Sequence, residues 1–103
     1  MVIEWLKFEV SPESRDIFIQ LDNEIWTSVL AQFPGFLGKE VWISPDKPQE
    51  IILVIRWQTR EQWKRIPFDI LEATEQKMAK RMQNHFYEMT ESKEYQVRKF
   101  PNY

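Results

Sequence analysis

The chain contains no cysteine and only two glycines, Gly35 and Gly38. Without cysteine there is no disulfide framework, no thiolate metal site and no cysteine nucleophile. Two isolated glycines do not supply the glycine-rich loop that cradles phosphate groups. These absences exclude several metal, redox and nucleotide chemistries before any pattern is considered.

An excess of basic residues and long apolar runs are also lacking. The 14 Lys and Arg against 16 Asp and Glu give a formal net charge of −2, so nucleic acid is not an expected partner. The longest apolar stretch is far shorter than the roughly 20 residues that span a bilayer. Because the first residues, Val2-Ile3-Glu4-Trp5, do not form a signal peptide, we expect a cytoplasmic protein without membrane contact.

What is present is the composition and patterning of one globular domain, residues 1–103, with 43% hydrophobic residues. Period-two and helical patterns, punctuated by Pro, Gly and a Thr59/Gln62 capping box, predict a βαββαβ order. The predicted elements are a strand over 2–10, a helix from Ser11-Pro12-Glu13 to about Gln32, a strand over about 37–44, a turn at Pro45-Asp46-Lys47-Pro48, a strand over 51–57, a short helix before Pro67, a helix over about 69–84, a turn over 89–92 and a strand over 93–100.

This order fits few sheet topologies, and the common one is a ferredoxin-like α+β fold. Its antiparallel sheet has the order 4-1-3-2 with both helices on one face, which makes strand three central. The side chains of strand three divide into Ile51, Leu53, Ile55 and Trp57 on one face and Ile52, Val54 and Arg56 on the other. Each face thus carries at least two large aliphatic side chains, and leaving two of them exposed to water costs several kcal/mol. We therefore predict a homodimer formed through the open sheet face. The alternative is cover by residues 100–103 or by the loop at 45–48.

The segments Phe33-Pro34-Gly35-Phe36-Leu37-Gly38 and Trp57-Gln58-Thr59-Arg60-Glu61-Gln62-Trp63 resemble the dimeric α+β barrel superfamily, especially the antibiotic biosynthesis monooxygenase group. The resemblance covers nearly the whole chain. The opening, the block over 34–43 and the ending over 92–100 resemble a small cyanobacterial family without an assigned activity. Members of the superfamily include cofactor-independent quinone-forming oxygenases, haem-degrading oxygenases and muconolactone isomerase-like enzymes, so function does not follow from the fold.

The active-site residues of these relatives are not found at the matching positions. In the haem-degrading branch an Asn on strand one, a Trp in the second helical region and a later His carry the chemistry. Here Ile66 and Gln76 stand at the two helical positions, and residues 2–10 contain no Asn. Many other members place a His in the stretch that Arg65, Ile66 and Pro67 occupy here. The resemblance therefore implies a fold and not a set of catalytic residues.

Four side chains are candidate ligand-binding residues: Trp57, Trp63, Arg56 and His85. The tryptophans suit an aromatic pocket, although core or dimer packing uses the same residues. Arg56 interrupts an apolar strand and should be enclosed, paired with Glu4 or Glu40, unless it anchors an anion or is simply solvated. His85 is the one imidazole, either a general base or a hydrogen-bonding group at a helix end. A single His forms no His-rich metal site, so neither a metal nor a cofactor is expected.

Two functions remain open. The first is binding or metal-free oxidation of a small aromatic or polyketide-like molecule, which requires an apolar cavity between the sheet and the second helix. The second is a non-catalytic homodimeric interaction protein, whose interior would be filled. A third, haem binding through His85, predicts a Soret band when haemin is added.

Overall fold

The structure, a computed structural model, describes residues 1–99. Within that range four strands form one antiparallel sheet in the order β2-β3-β1-β4. The strands are β1 (Val2–Val10), β2 (Phe36–Ser44), β3 (Lys47–Trp57) and β4 (Tyr87–Gln96), and the α-helical segments are α1 (Arg15–Leu21), α2 (Ser28–Leu30), α3 (Arg60–Lys64) and α4 (Phe68–Arg81). The predicted βαββαβ order and the predicted ferredoxin-like sheet order are confirmed.

The helical region between β1 and β2 is not the continuous helix that the sequence predicts. A 3-10 turn, Pro12–Ser14, precedes α1, and a π-helical segment, Asp22–Thr27, separates α1 from α2. A π-helical turn widens the helix and is frequent at functional sites. Here it begins at Asp22, whose side chain is only 3% exposed. The widened part of the helix therefore begins at a buried carboxylate.

The predicted boundaries of the last strand are wrong. β4 begins at Tyr87, so residues 89–92 lie within it and do not form a turn. Tyr87 pairs with Val10 at the far end of β1, and pairing along the whole of β1 outweighs the polar composition of β4. The strand ends at Gln96; Phe100, its predicted end, lies outside the described residues.

Two other elements differ by a few residues. α4 ends at Arg81 and not near Asn84. Asn84 itself adopts a φ of 70°, the left-handed conformation in which a helix commonly terminates. β3 begins at Lys47, because Ser44 already pairs with Lys47 across a shorter turn than predicted.

The core lies between the sheet and the helices. It is built from alternate residues of β1 and β3 and from the inner sides of α1 and α4. The largest fully buried side chains are Val10, Phe18, Leu21, Ile51, Leu53, Ile55, Trp57, Met78 and Met82. None of the helices described in residues 1–99 has both the length and the apolar character needed to cross a membrane.

The open face of the sheet carries a smaller apolar cluster. Ile52 and Val54 are only 9% and 2% exposed, because Ile3, Trp5 and Val97 are among the residues that pack around them. The expectation that these two side chains would be wet in a single subunit is therefore wrong. Other aromatic side chains of this face do remain exposed, namely Trp42 and Tyr95, each at 48%.

Gly35 lies at the junction of the first helical region and β2. Its φ is 94°, and a Cβ atom there would lie 2.5 Å from Gln62 Oε1. Gln62 belongs to the capping box at the start of α3, where its backbone N–H donates to Thr59 Oγ1 at 3.1 Å. The capping box was predicted and is confirmed. The contact between Gly35 and Gln62 ties the start of β2 to α3.

Gly35→Ala is expected to lower the free energy of unfolding by about 2–4 kcal/mol, because it combines a left-handed backbone with a steric contact. Gly38→Ala is the matched control. Its φ of 145° is also strained for alanine, but no atom lies within 4 Å of the added Cβ, so a loss of about 1–2 kcal/mol is expected. Equal losses in urea denaturation would contradict the role of the Gln62 contact.

Candidate functional site

A cavity of about 200 Å³ lies between the sheet and the helices. Its walls are mainly apolar and aromatic, and they include Leu6, Phe8, Trp26, Trp63 and Leu71. An apolar cavity of about 150 Å³ is enough to hold benzene. The space therefore suits a molecule of one or two rings. Four charged side chains also line it, namely Glu4, Asp22, Lys39 and Glu75.

Asp22 and Lys39 form an ion pair in the cavity wall. Lys39 Nζ lies 2.6 Å from Asp22 Oδ2, and the two side chains are only 4% and 3% exposed. Asp22 comes from the π-helical segment, and Lys39 comes from β2, opposite Ile55 of β3. Burial raises the pKa of Asp22, while the charge of Lys39 and its hydrogen bond act in the opposite direction. The pair supplies fixed charges beside an apolar space.

Glu4 is the second acidic group of the cavity. It lies on the helix-facing side of β1 and accepts a hydrogen bond from Trp57 Nε1 at 3.2 Å. Burial raises the pKa of Glu4, and the Trp57 hydrogen bond and the charges of Lys39 and Lys64 partly offset this. A carboxylate that is desolvated in this way is a stronger base than one in water. Glu4, which has no ion-pair partner among the described residues, is therefore a candidate proton acceptor in the cavity.

Glu75 of α4 links three elements at the rim of the cavity. Its Oε1 accepts from Trp26 Nε1 of the π-helical segment at 3.3 Å, and its Oε2 accepts from the Tyr87 hydroxyl of β4 at 2.8 Å. Burial, followed by the hydrogen bond to Glu75 and the charge of Glu75, raises the pKa of Tyr87. Tyr87 therefore stays a neutral donor that holds the carboxylate in place.

The two predicted tryptophans lie at this site. Trp63 lines the cavity. Trp57 is fully buried and contacts the site through its hydrogen bond to Glu4. Their predicted role in ligand binding stays a prediction.

The other two predicted residues lie elsewhere. The Arg56 side chain lies on the open sheet face, one-third exposed and 3.4 Å from Glu40, so its predicted ion pair is confirmed with Glu40 as the partner. Glu4, the other suggested partner, faces the opposite side of the sheet. His85 is exposed after α4, with Nδ1 2.7 Å from Ser14 Oγ. Neither Arg56 nor His85 is among the residues that line the cavity.

Sequence reasoning missed Asp22 and Lys39. It considered Glu4 only as a partner of Arg56, and Glu75 only as part of the charged, solvated surface of the second helix, where Glu75 is exposed. For Lys39 the reason is a register shift in β2 between Phe36 and Gly38. Because side chains alternate along a strand, one extra residue turns Lys39 to the face that Phe36 occupies. Among residues 1–99 no group of three or more acidic or His side chains is placed to hold a metal ion.

A protein family matches this chain in sequence, and solved structures match it in fold. No curated protein matches it. Among solved structures, SnoaB from Streptomyces nogalater, described as a cofactor-independent oxygenase, aligns with a TM-score of 0.69 and 16% identity, over 96% of this chain and 94% of SnoaB. A dimeric ferredoxin-like protein from an uncultured marine organism aligns with a TM-score of 0.67 and 12% identity, over 100% of both chains.

At these identities the two structures show the shared fold alone. The sequence match identifies the family and bears out the resemblance, although a cyanobacterial subgroup is not distinguished by it. The antibiotic biosynthesis monooxygenase family matches residues 1–65, which include β1, the π-helical segment, β2, β3 and α3. The chain therefore belongs to the antibiotic biosynthesis monooxygenase family.

Proposed function

We propose that this protein binds a phenolic molecule of one or two rings in the cavity and oxidises it with O₂ without a metal ion. The observation that carries the proposal is the apolar cavity of about 200 Å³ with the Glu4 carboxylate in its wall. A filled interior, as expected for a non-catalytic interaction protein, does not fit that cavity. Oxidation is supported by the family and by the likeness to SnoaB, described as a cofactor-independent oxygenase.

The proposed reaction begins with proton transfer to Glu4. A ring hydroxyl that donates to this carboxylate loses its proton, and the resulting phenolate is electron-rich enough to reduce O₂. One oxygen atom enters the ring as a carbonyl, and the other leaves as water with two hydrogens from the substrate. Phenol plus O₂ thus gives quinone plus water, and the substrate supplies all the electrons. The Lys39 ammonium in the same cavity wall is paired with Asp22, so it offsets only part of the negative charge of the phenolate.

The proposed assembly is a homodimer formed through the open sheet face. The exposed aromatic side chains Trp42 and Tyr95 lie on that face, and the marine protein of the same fold is described as dimeric. Burying two aromatic side chains per subunit stabilises an interface by several kcal/mol. Sedimentation as a single subunit would contradict this part of the proposal.

Ligand binding is tested by a thermal-shift screen of small phenols, naphthols and non-aromatic alcohols of equal size. A ligand at 100 times its Kd stabilises the protein by about 2.7 kcal/mol, so phenols and naphthols are expected to raise Tm. Leu71→Phe, which fills the cavity, should remove the shift, and Leu37→Phe, at a residue 51% exposed, should retain it. Identical shifts in both variants would place binding outside the cavity and contradict the proposal.

Oxidation is tested on the phenols that bind. Oxygen uptake and quinone absorbance are expected to rise together in the presence of a metal chelator. A reaction that stops when the chelator is added would contradict the metal-free part of the proposal.

A further inference from the structure

Glu75 is an exposed carboxylate at the edge of the cavity wall. Its two oxygens accept hydrogen bonds from the Trp26 indole and the Tyr87 hydroxyl, which are both neutral donors. None of the ion pairs between the described residues includes Glu75. The carboxylate is therefore fixed in direction by two aromatic partners while its negative charge remains available.

The cavity around Glu75 has an excess of negative charge. Of the four charged side chains that line it, three are carboxylates, Glu4, Asp22 and Glu75, and the fourth is Lys39. Lys39 is paired with Asp22 at 2.6 Å, so the cavity presents two further carboxylates to a ligand. An aromatic ligand that also carries an anion would meet repulsion there, whereas a cation would be attracted.

The aromatic surroundings of Glu75 suit an organic cation. Trp26, whose indole donates to Glu75, lines the same cavity, and Trp63 lies on its wall. Trp26 meets Glu75 through the N–H edge of its ring, so the aromatic wall accommodates the ring of a ligand and the attraction of its cation comes from the carboxylate. A carboxylate held in a fixed direction at the edge of an aromatic cavity can accept hydrogen bonds from a protonated amine.

One cation already lies near the opening. Lys64 Nζ lies 4.0 Å from the centroid of the Trp63 ring, and Lys64 borders a more open groove of about 460 Å³ that shares Glu4, Leu6 and Trp63 with the cavity. Lys64 does not line the cavity that Glu75 lines. The cavity and the groove thus differ in the charge of their walls, because carboxylates outnumber lysines only in the cavity.

We propose that the ligand of this cavity is a hydroxyaryl-alkylamine, with its ring hydroxyl at Glu4 and its protonated amine at Glu75. The inference rests on the proposed function, because it assumes that an aromatic molecule occupies the cavity. A single ring with a two-carbon ammonium chain is small enough for about 200 Å³. Glu75 is then a binding residue that selects the ligand by charge.

The test compares three probes that share the same phenol and differ only in the group at the end of a two-carbon chain: tyramine, 4-(2-hydroxyethyl)phenol and 3-(4-hydroxyphenyl)propionate. Isothermal titration is expected to give about three- to fivefold tighter binding of the amine than of the alcohol, because a charged hydrogen bond is stronger than a neutral one but solvent weakens an ion pair with an exposed carboxylate. The propionate should bind most weakly.

Glu75→Gln is expected to reduce the amine-to-alcohol preference to less than about 1.5-fold, since only the charge is removed. Glu72→Gln, one turn earlier on α4 and not part of the cavity wall, is the matched control and should keep the preference. Equal binding of amine and alcohol to the unmodified protein would overturn this inference and leave the proposed function intact. Tightest binding of the propionate would also overturn it, and would point to Lys64. Failure of all three probes, together with a negative phenol screen, would overturn both proposals.

Discussion

Asp22→Asn is expected to lower the free energy of unfolding by about 3–5 kcal/mol, because it removes the ion-pair partner of the buried Lys39 ammonium and leaves only the charge of Glu4, with which Lys39 forms no ion pair. The side chains of the pair are 3% and 4% exposed, so water cannot replace the lost partner. Asparagine has nearly the same size as aspartate, which keeps the steric effect small. The measurement is urea denaturation of the two proteins at neutral pH.

A double variant, Asp22→Leu with Lys39→Met, separates the charge effect from packing. Replacing both charged side chains by apolar ones of similar volume is often neutral or stabilising by about 1–4 kcal/mol. The double variant should therefore be at least as stable as the unmodified protein, to within about 1 kcal/mol. If the double variant were as unstable as Asp22→Asn, packing and not the buried charge would explain the loss.

Glu4→Gln is expected to lower the turnover of a phenol that the protein oxidises by about 10²–10⁴-fold, the usual contribution of a positioned base. Glutamine keeps an oxygen that can accept the Trp57 Nε1 hydrogen but cannot take up a proton from the substrate. Glu9→Gln, also on β1 but exposed and away from the cavity wall, is the control and should retain turnover. Full activity of Glu4→Gln would exclude Glu4 as the base.

The same variant should be more stable than the unmodified protein at neutral pH. The pKa of Glu4 in the folded protein is raised above its ordinary value of 4.5, so the folded state holds the proton more tightly than the unfolded chain does. Its contribution to stability is therefore present at acid pH and is lost as pH rises above the ordinary value. Glu4→Gln does not ionise, and its advantage in unfolding free energy should increase from acid to neutral pH. A constant difference would contradict the raised pKa.

Loss of turnover with a gain in stability would mark Glu4 as a residue kept for function. A desolvated carboxylate is unfavourable for folding, and proteins commonly retain such groups where activity requires them. Asp22 and Lys39 differ in this respect, because each single replacement leaves the other charge buried.

The sequence was sufficient for the order of elements because the relevant signals are local. Alternation along residues 2–10, the stop at Pro34-Gly35 and the Thr59/Gln62 capping box each depend on residues a few positions apart. Right-handed connections then leave one common topology. The predicted end of α4 was wrong because the helix stops before Asn84, which adopts a left-handed conformation. The predicted start of β4 was wrong because it is determined by pairing with β1, which is distant in the sequence.

The candidate site depends on contacts between distant residues, which the hydrophobic periodicity of the sequence does not reveal. Asp22 lies at the start of a π-helical segment, which a regular helical repeat does not anticipate. Lys39 faces the cavity only because the register of β2 shifts before it. Arg56 was placed on the correct strand and given the correct kind of partner, but only the structure shows that this partner is Glu40 on the open sheet face and not Glu4.

The most direct test is to locate a bound phenol with the five tryptophans of the chain as reporters. Protein labelled with 5-fluorotryptophan gives a fluorine signal for each, assigned by single Trp→Phe variants. Trp26 and Trp63 line the cavity, whereas Trp42 is on the open sheet face, opposite Ile52. Titration with a phenol that raises Tm is expected to shift the Trp26 and Trp63 signals and leave Trp42 unchanged. A shift confined to Trp42, or none in the presence of saturating ligand, would contradict the proposed site.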